Sequence, residues 1–266
     1  MDSLRQVASW PVEHVAVGVV RPGADVAHGP RDRVFALASV TKLFTAYAVL
    51  IAAEEGTIDV DQRAGPPGST VRHLLAHASG LPLDGAVPIS RVGARRIYSN
   101  TGFEVVAEAV ASAAEMPFEE YLRRAVLEPL RLRARLDGSP AWGLRACLDD
   151  VLTFARELLS PTLLAPETLA EATEVAFPGL DGVLPGFGRM EPNDWGLGFE
   201  LKDRKHPHWT GERNSTRTFG HFGRSGTFLW VDPDAAVACA CLTDEPFGAW
   251  AKEAWPRLAD AVLADA

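Results

Sequence analysis

Cysteine is scarce in this chain of 266 residues, which contains only Cys147, Cys239 and Cys241. Three cysteines exclude the disulfide framework that stabilises many small secreted domains. Cys239 and Cys241 alternate on a predicted strand, so we expect both to be small buried apolar residues. A zinc site at this pair is a weaker alternative because no histidine lies nearby in sequence, and His73 and His77 lack the intervening glutamate of a metalloprotease helix. We predict no metal and no cofactor.

Positive charge is also in deficit. The 26 lysines and arginines are outnumbered by 35 aspartates and glutamates, which gives a net charge of −9. Nucleic acids and anionic membranes bind through basic surfaces, so this balance predicts neither as a partner. No apolar run is long enough to cross a bilayer, and the first residues lack a basic segment followed by an apolar one. We expect a cytoplasmic protein, a monomer by default, that acts on a small molecule.

Strand-like patterns occur near both ends of the chain, in HVAVGVV early and in WGLGFEL, GTFLWVDP and AAVACACL late. The middle is mostly helical, with loops predicted at Pro- and Gly-rich passages such as FPGLDGVLPGFG. This order predicts an α/β (α+β) fold in which an antiparallel sheet built from both termini is flanked by helices. We divide the chain into a sheet-and-helix lobe, residues 1–57 plus 190–266, and an inserted helical lobe, residues 58–189. The two form a single catalytic unit with the site between them.

Lysine is the rarest charged residue, with four copies in the chain, yet Lys42 stands in the most apolar helical segment, FALASVTKLFTAYAVL. A buried lysine can lose its proton, whereas an arginine cannot. Lowering the lysine pKa from about 10.4 to roughly 7–8 costs on the order of 4 kcal/mol. The placement therefore indicates that a neutral amine is needed, unless the side chain extends its amine to solvent.

Ser39 provides a use for that amine. We predict a helix from Ser39 to Glu55, with Ser39 at a position like an N-cap. Residues three apart share a helix face, so the Lys42 amine can approach the Ser39 hydroxyl and take its proton. The Ser39 backbone N–H would also supply half of an oxyanion hole. The alternative is that Ser39 is only a helix cap.

Two further motifs contain residue types suited to the same chemistry. Tyr98 and Asn100 form YSN in a predicted loop before a helix, where a phenol could transfer a proton and an amide could orient a substrate. His221 and Gly223 form HFG before an apolar strand, where glycine lets a ligand approach the backbone. The alternatives are that Asn100 or its neighbour caps the helix and that His221 lies at the surface.

SVTK, YSN and HFG, in this order and together with LLAHASGLP, resemble the serine β-lactamase-like family of penicillin-recognising enzymes. That family includes class C β-lactamases, D-alanyl-D-alanine carboxypeptidases and esterases, and the resemblance runs over nearly the whole chain. It implies that Ser39 is the acylated nucleophile and that Lys42 is the general base, shared with Tyr98. It also implies that Asn100 orients the substrate, and that the N–H groups of Ser39 and Arg224 form the oxyanion hole.

One departure from the family pattern concerns substrate choice. His221 stands where the family more often has lysine, which weakens the permanent positive charge available to a substrate carboxylate. Arg224 begins an Arg-Ser-Gly sequence that could replace HFG as the third motif. Its odd offset along the strand would turn it away from the pocket centre, so we expect Arg224 at the rim or on the outer face.

These observations predict a serine hydrolase that cleaves an ester, amide or lactam of a small-molecule acyl substrate through an acyl-enzyme. The histidine in the third motif favours esterase-like activity over β-lactamase or peptidase activity. The alternative function is a catalytically silent module of the same fold that binds or senses a ligand.

Overall fold

A computed structural model describes residues 2–265. Its main sheet contains six antiparallel strands in the order β2-β1-β11-β10-β9-β8. Because β1 and β2 come from the start of the chain and the other four from its end, the predicted sheet built from both termini is confirmed. The strands of the described chain are β1 (Val15–Arg21), β2 (Ala24–His28), β3 (Phe35–Ala36), β4 (Arg135–Leu136), β5 (Leu144–Ala146), β6 (Gly182–Leu184), β7 (Gly188–Met190), β8 (Glu200–Leu201), β9 (Phe219–Gly223), β10 (Thr227–Asp232) and β11 (Val237–Thr243).

The helices cover both faces of this sheet and fill the middle of the chain. Short 3₁₀ segments lie at Asp2–Ser9 and Ala38–Val40, and a π-helical turn follows α4 at Arg123–Leu127. The α-helices of the described residues are α1 (Thr41–Glu54), α2 (Val71–Leu75), α3 (Asn100–Ala114), α4 (Phe118–Leu122), α5 (Leu148–Leu159), α6 (Pro166–Ala172) and α7 (Ala249–Ala264).

The alternation of side chains along the strands divides the core into two layers. On one face, Cys239 and Cys241 pack in a cluster with Trp255 of α7. On the other face, Ala240 belongs to a larger cluster that contains α1 and α5. Both cysteines are buried and free, as expected for small apolar residues.

Helix α1 is surrounded by protein, which explains why its sequence is apolar on every side. Its residues from Thr41 to Ala52 are all buried, and Phe44 stacks on Phe154 of α5 with ring centroids 3.8 Å apart. A helix whose sequence is hydrophobic on all sides is expected to be buried, and α1 agrees with this expectation. The only lysine of α1, Lys42, is therefore far from bulk water.

The middle of the chain does not lie apart from the sheet. Helix α5 packs against β1, β10 and β11, and β3 pairs with β5 in a separate three-stranded sheet with β4. The passage FPGLDGVLPGFG, expected to be a loop, contains β6 and the turn that leads into β7, and Val183 of β6 pairs with Arg189 of β7. The glycines before β6 and between β6 and β7 allow the tight turn, and these same glycines made the sequence predict a loop. The division into two lobes stays a prediction.

Within residues 2–265, none of the helices combines the length and apolar character that crossing a membrane requires.

Candidate active site

Ser39 lies in the 3₁₀ turn Ala38–Val40, between β3 and the first residue of α1, Thr41. The expected helix start at Ser39 is wrong by two residues, and no side chain caps α1 at its N-cap residue, Val40. The Ser39 side chain is used elsewhere, in a hydrogen bond with Tyr98. The turn is strained, because Ala38 has φ = 46°, a left-handed value that costs a non-glycine residue on the order of 1 kcal/mol or more.

The β9–β10 turn holds the chain immediately before the serine. Ser225 Oγ donates to the Ala36 carbonyl at 2.7 Å, and Thr227 Oγ1 donates to the Leu37 carbonyl at 2.9 Å. A Cβ atom on Gly223 would lie 2.4 Å from the same Leu37 oxygen, so only glycine permits this approach. Gly223 of the third motif and the turn that follows it are thus fastened to the turn that contains Ser39, and these contacts stabilise the strained backbone.

Lys42 is fully buried, with 0% of its surface exposed. Its Nζ donates to Asn100 Oδ1 at 2.8 Å and to the Ala141 carbonyl at 2.9 Å, and lies 4.8 Å from the centroid of the Tyr98 ring. A neutral amine has two N–H groups and one lone pair. Both donors are occupied by these carbonyl-type oxygens, so the lone pair remains for an incoming proton.

The environment of Lys42 favours that neutral form near physiological pH. Burial lowers the pKa of the Lys42 amine from 10.5 to about 7, and the negative charges of Asp84 and Glu104 partly oppose this effect. At neutral pH a large fraction of the molecules therefore contains an unprotonated amine one helical turn from Ser39.

Tyr98 connects the serine to the third motif. Its hydroxyl is hydrogen-bonded to the Ser39 side chain and lies 3.3 Å from His221 Nε2. Burial raises the pKa of Tyr98 above its ordinary value, and the bond to Ser39 opposes this only in part. Tyr98 is therefore a neutral phenol at physiological pH.

His221 is 3% exposed, and its contacts fix its tautomer. Nδ1 lies 2.7 Å from the Phe222 carbonyl, an acceptor, so Nδ1 has the proton and Nε2 is the acceptor. Tyr98 therefore donates to His221. Burial, and then the charge of Lys42, lowers the pKa of His221 to about 3. The residue that occupies the family's lysine position is thus uncharged at neutral pH.

The amide of Asn100 has a single orientation consistent with its neighbours. Lys42 Nζ donates to the amide oxygen, and the carboxylate of Asp84 can only accept. The amide oxygen therefore faces Lys42, and Nδ2 donates to Asp84 Oδ1 at 3.1 Å. One Nδ2 hydrogen and one oxygen lone pair remain for a substrate. Asp84 belongs to none of the three motifs.

His77 and Trp195 form a support behind Tyr98. The His77 ring lies 4.7 Å from the Tyr98 ring and meets Trp195 edge-on at 4.6 Å, and its Nδ1 accepts from the Ser99 backbone N–H at 3.2 Å. Burial lowers the pKa of His77 well below its ordinary value, so it is neutral. His73 Nδ1 instead lies 2.9 Å from Thr70 Oγ1. The imidazole rings of His73 and His77 therefore have different hydrogen-bond partners. LLAHASGLP marked His77, whereas Trp195 was noted only as the first residue of the predicted strand WGLGFEL.

The site opens into a cavity of about 360 Å³. Five of the predicted residues line it: Ser39, Tyr98, Asn100, His221 and Arg224. Lys42 lies beneath the cavity, Gly223 faces the backbone before Ser39, and Arg224 is exposed at the rim. The remaining wall contains two carboxylates, those of Asp84 and Glu200, and is otherwise apolar or glycine, formed by Leu83, Leu184, Pro185, Gly186, Trp195, Phe222 and Phe247. A wider depression of about 680 Å³ near the β1–β2 turn contains none of the three motifs.

The first motif combines a serine with a buried lysine, a pairing that differs from the serine-histidine-aspartate sets of α/β-hydrolases and chymotrypsin-like enzymes. The sheet order and the three motifs define the class: serine hydrolases of the β-lactamase fold. The chain belongs to the Beta-lactamase family, whose family model matches residues 11–264. The expected fold and enzyme class are confirmed, and members of this family act on small-molecule substrates.

Individual relatives agree with this assignment. The chain is 52% identical to a β-lactamase from Mycobacterium bovis of known crystal structure, with a TM-score of 0.98 over 99% of this chain and 98% of that one. It shares the fold, at 16% identity, with simvastatin synthase from Aspergillus terreus, with a TM-score of 0.83 over 99% of this chain and 97% of that one. Penicillin-binding protein 4* of Bacillus subtilis is 24% identical over 57% of this chain, and only 41% of that longer protein is covered.

Proposed function

We propose that this protein is an esterase-like serine hydrolase that cleaves esters of uncharged, apolar acyl groups through an acyl-enzyme on Ser39. The observation that carries the proposal is the state of Lys42, a buried amine with a pKa of about 7 and both N–H groups already donated. Such an amine is a general base, and Ser39 lies one turn away from it.

Acylation begins when Ser39 Oγ attacks the ester carbonyl carbon and its proton passes to Lys42 Nζ. The hydroxyl rotates between its two acceptors, Tyr98 and the lysine lone pair. The backbone N–H groups of Ser39 and Arg224 stabilise the oxyanion. Collapse of the tetrahedral intermediate breaks the bond to the alcohol, which leaves with the proton returned from Lys42 through Tyr98.

Deacylation repeats these steps with water as the nucleophile. Lys42 removes a proton from the water as its oxygen attacks the acyl carbonyl. The bond to Ser39 Oγ then breaks, and the serine oxygen regains a proton from Lys42 or Tyr98. One water is consumed and one carboxylic acid is released in each turnover.

The charge in the cavity favours esters over lactams and peptides that have a carboxylate. His221 is neutral where the family more often has lysine, and Arg224 is exposed at the rim, where solvent screens its charge. The rest of the wall is largely apolar. An anionic substrate would lose its hydration without a buried cation at the third motif in compensation.

The proposal is tested by comparing kcat/KM for 4-nitrophenyl butyrate, nitrocefin and a D-alanyl dipeptide, with S39A as the blank. We expect ester cleavage to be fastest, and intact-mass spectrometry after a fluorophosphonate to show one adduct, located on Ser39. Nitrocefin turning over faster than the ester would contradict the substrate class. No adduct and no turnover of any substrate would support the alternative of a silent ligand-binding module.

A further inference from the structure

Asp84 lies in the cavity wall although it belongs to none of the three motifs. It comes shortly after the LLAHASGLP segment, in a loop fastened to the beginning of α3. The Asn100 backbone N–H donates to the Leu83 carbonyl at 2.7 Å, and the Gly85 N–H donates to Thr101 Oγ1 at 2.9 Å. Asp84 is thus held between two anchored neighbours.

Asp84, Asn100 and Lys42 form a continuous chain of hydrogen bonds. Asn100 Nδ2 donates to Asp84 Oδ1, and Lys42 Nζ donates to Asn100 Oδ1. The carboxylate, which can only accept, determines which end of the Asn100 amide faces the lysine. Without the carboxylate, the amide could rotate and present its N–H₂ group to Lys42.

That rotation would affect the base directly. An N–H of Asn100 directed at a neutral Lys42 can only bond to the amine lone pair. The lone pair is the acceptor that the proposed function requires for the Ser39 proton. A rotated amide would therefore compete with Ser39 for the base.

We propose that Asp84 is a positioning residue: by accepting from Asn100, it keeps the amide oxygen on Lys42 and the lysine lone pair open to Ser39. This inference rests on the proposed function. Asp84 does not touch the reacting atoms, and it acts through Asn100.

The charge of Asp84 gives the role a second, separable effect. Two negative charges raise the pKa of Lys42 and so oppose the effect of burial. They are those of Asp84, in the loop, and Glu104, on α3. The other titratable groups facing the amine, Tyr98, His77 and His221, are neutral at physiological pH. Removing either carboxylate charge therefore lowers the pKa of Lys42, which moves the acid limb of the rate profile to lower pH.

Glu104 supplies a matched control. It raises the pKa of Lys42, but its side chain accepts from Ser139 Oγ at 2.7 Å, not from Asn100. Glu104→Gln removes the charge and keeps an acceptor for Ser139. Asp84→Asn likewise removes the charge but keeps an oxygen that can accept from Asn100, whereas Asp84→Ala removes both charge and acceptor.

The experiment is the pH dependence of kcat/KM for 4-nitrophenyl butyrate in the wild type and these three variants, with S39A subtracted. We expect the acid limb to move to lower pH in all three. We expect the plateau above that limb to fall about tenfold in Asp84→Ala, since one positioning hydrogen bond is lost. In Glu104→Gln it should stay within about twofold of the wild type, since Ser139 keeps an acceptor and Asn100 keeps Asp84. The Asp84→Asn plateau should fall between the other two, because the new amide can accept from Asn100 but can also turn its N–H₂ group towards it.

An Asp84→Ala plateau equal to that of Glu104→Gln would refute the positioning role while leaving the hydrolase assignment intact. If the acid limb of the pH profile does not move in either Asp84 variant, the proposed effect of the Asp84 charge on the pKa of Lys42 is refuted. A wild type without ester turnover or Ser39 labelling would refute the proposed function, and the role of Asp84 with it. Because Asp84 is exposed, circular dichroism should show that each variant is folded.

Discussion

The hydroxyl of Tyr98 lies 3.3 Å from Nε2 of His221 and donates to it, because His221 Nδ1 is committed to the Phe222 carbonyl. This pair makes the third motif a neutral acceptor instead of a cation. It orients the phenol that hydrogen-bonds to Ser39 and leaves the third-motif position without a positive charge for a substrate carboxylate.

Replacement of His221 tests whether an acceptor is what the position requires. We expect His221→Gln, whose amide oxygen can accept from Tyr98, to retain ester hydrolysis within about tenfold. His221→Leu leaves the phenol unpaired in a buried site, and we expect it to lose substantially more. Steady-state kcat/KM for 4-nitrophenyl butyrate measures both. Equal losses in the two variants would show that the Tyr98–His221 bond contributes nothing.

Lys42 should reduce the stability of the fold while it serves the reaction. A lysine pKa lowered from 10.5 to about 7 corresponds to roughly 5 kcal/mol at pH 7, offset by about 1 kcal/mol for each of its two hydrogen bonds. We therefore expect Lys42→Met to be inactive but more stable by about 2–3 kcal/mol in urea unfolding at pH 7.

The sign of the pH dependence follows from proton counting. Between about pH 7 and 10 the unfolded wild type binds more protons at Lys42 than the folded protein does, so this group's penalty shrinks as the pH rises. The stability advantage of Lys42→Met should therefore be largest at or below pH 7 and decline towards pH 10. An advantage that grows with pH would contradict a buried amine of lowered pKa.

Much of the fold and site could be predicted from sequence because local patterns specify them. Alternation in AAVACACL placed Cys239 and Cys241 on one face, and a lysine in an apolar helix indicated a neutral base. The start of α1 could not be predicted, because the hydroxyl of Ser39 is bound by Tyr98, far along the chain. Trp195 and Asp84 were missed for the same reason, since their roles depend on tertiary contacts.

The hydrogen bond from Thr227 to the Leu37 carbonyl, called the clamp below, should stabilise the strained turn that contains Ser39. Thr227→Val preserves shape but removes the 2.9 Å bond to the Leu37 carbonyl. We expect Tm to fall by about 2–4 °C and the acylation rate to fall several-fold, because Ser39 is then less firmly held. The control is Thr153→Val, which removes a 2.9 Å bond to the Asp149 carbonyl in α5. A control with the same loss of acylation rate would show that the clamp has no special role.

Acyl chain length tests the apolar wall. Each methylene buried there adds about 0.8 kcal/mol, so kcat/KM should rise about three- to fourfold per methylene from acetyl to butyryl esters. Phe247→Ala should reduce turnover of the butyryl ester and leave the acetyl ester nearly unchanged, since the short chain reaches less of the wall. A flat chain-length series in the wild type would place the acyl group outside this cavity.

The rate at which a fluorophosphonate labels Ser39, measured by mass spectrometry from pH 5 to 9, reports directly on whether neutral Lys42 activates the serine. The rate should rise with pH through about 7, following the neutral fraction of Lys42, and then level off. It should fall by at least about 100-fold in Lys42→Arg, which cannot lose its proton. A wild-type labelling rate that does not change between pH 5 and 9, or an adduct at a residue other than Ser39, would show that neutral Lys42 is not the base for Ser39.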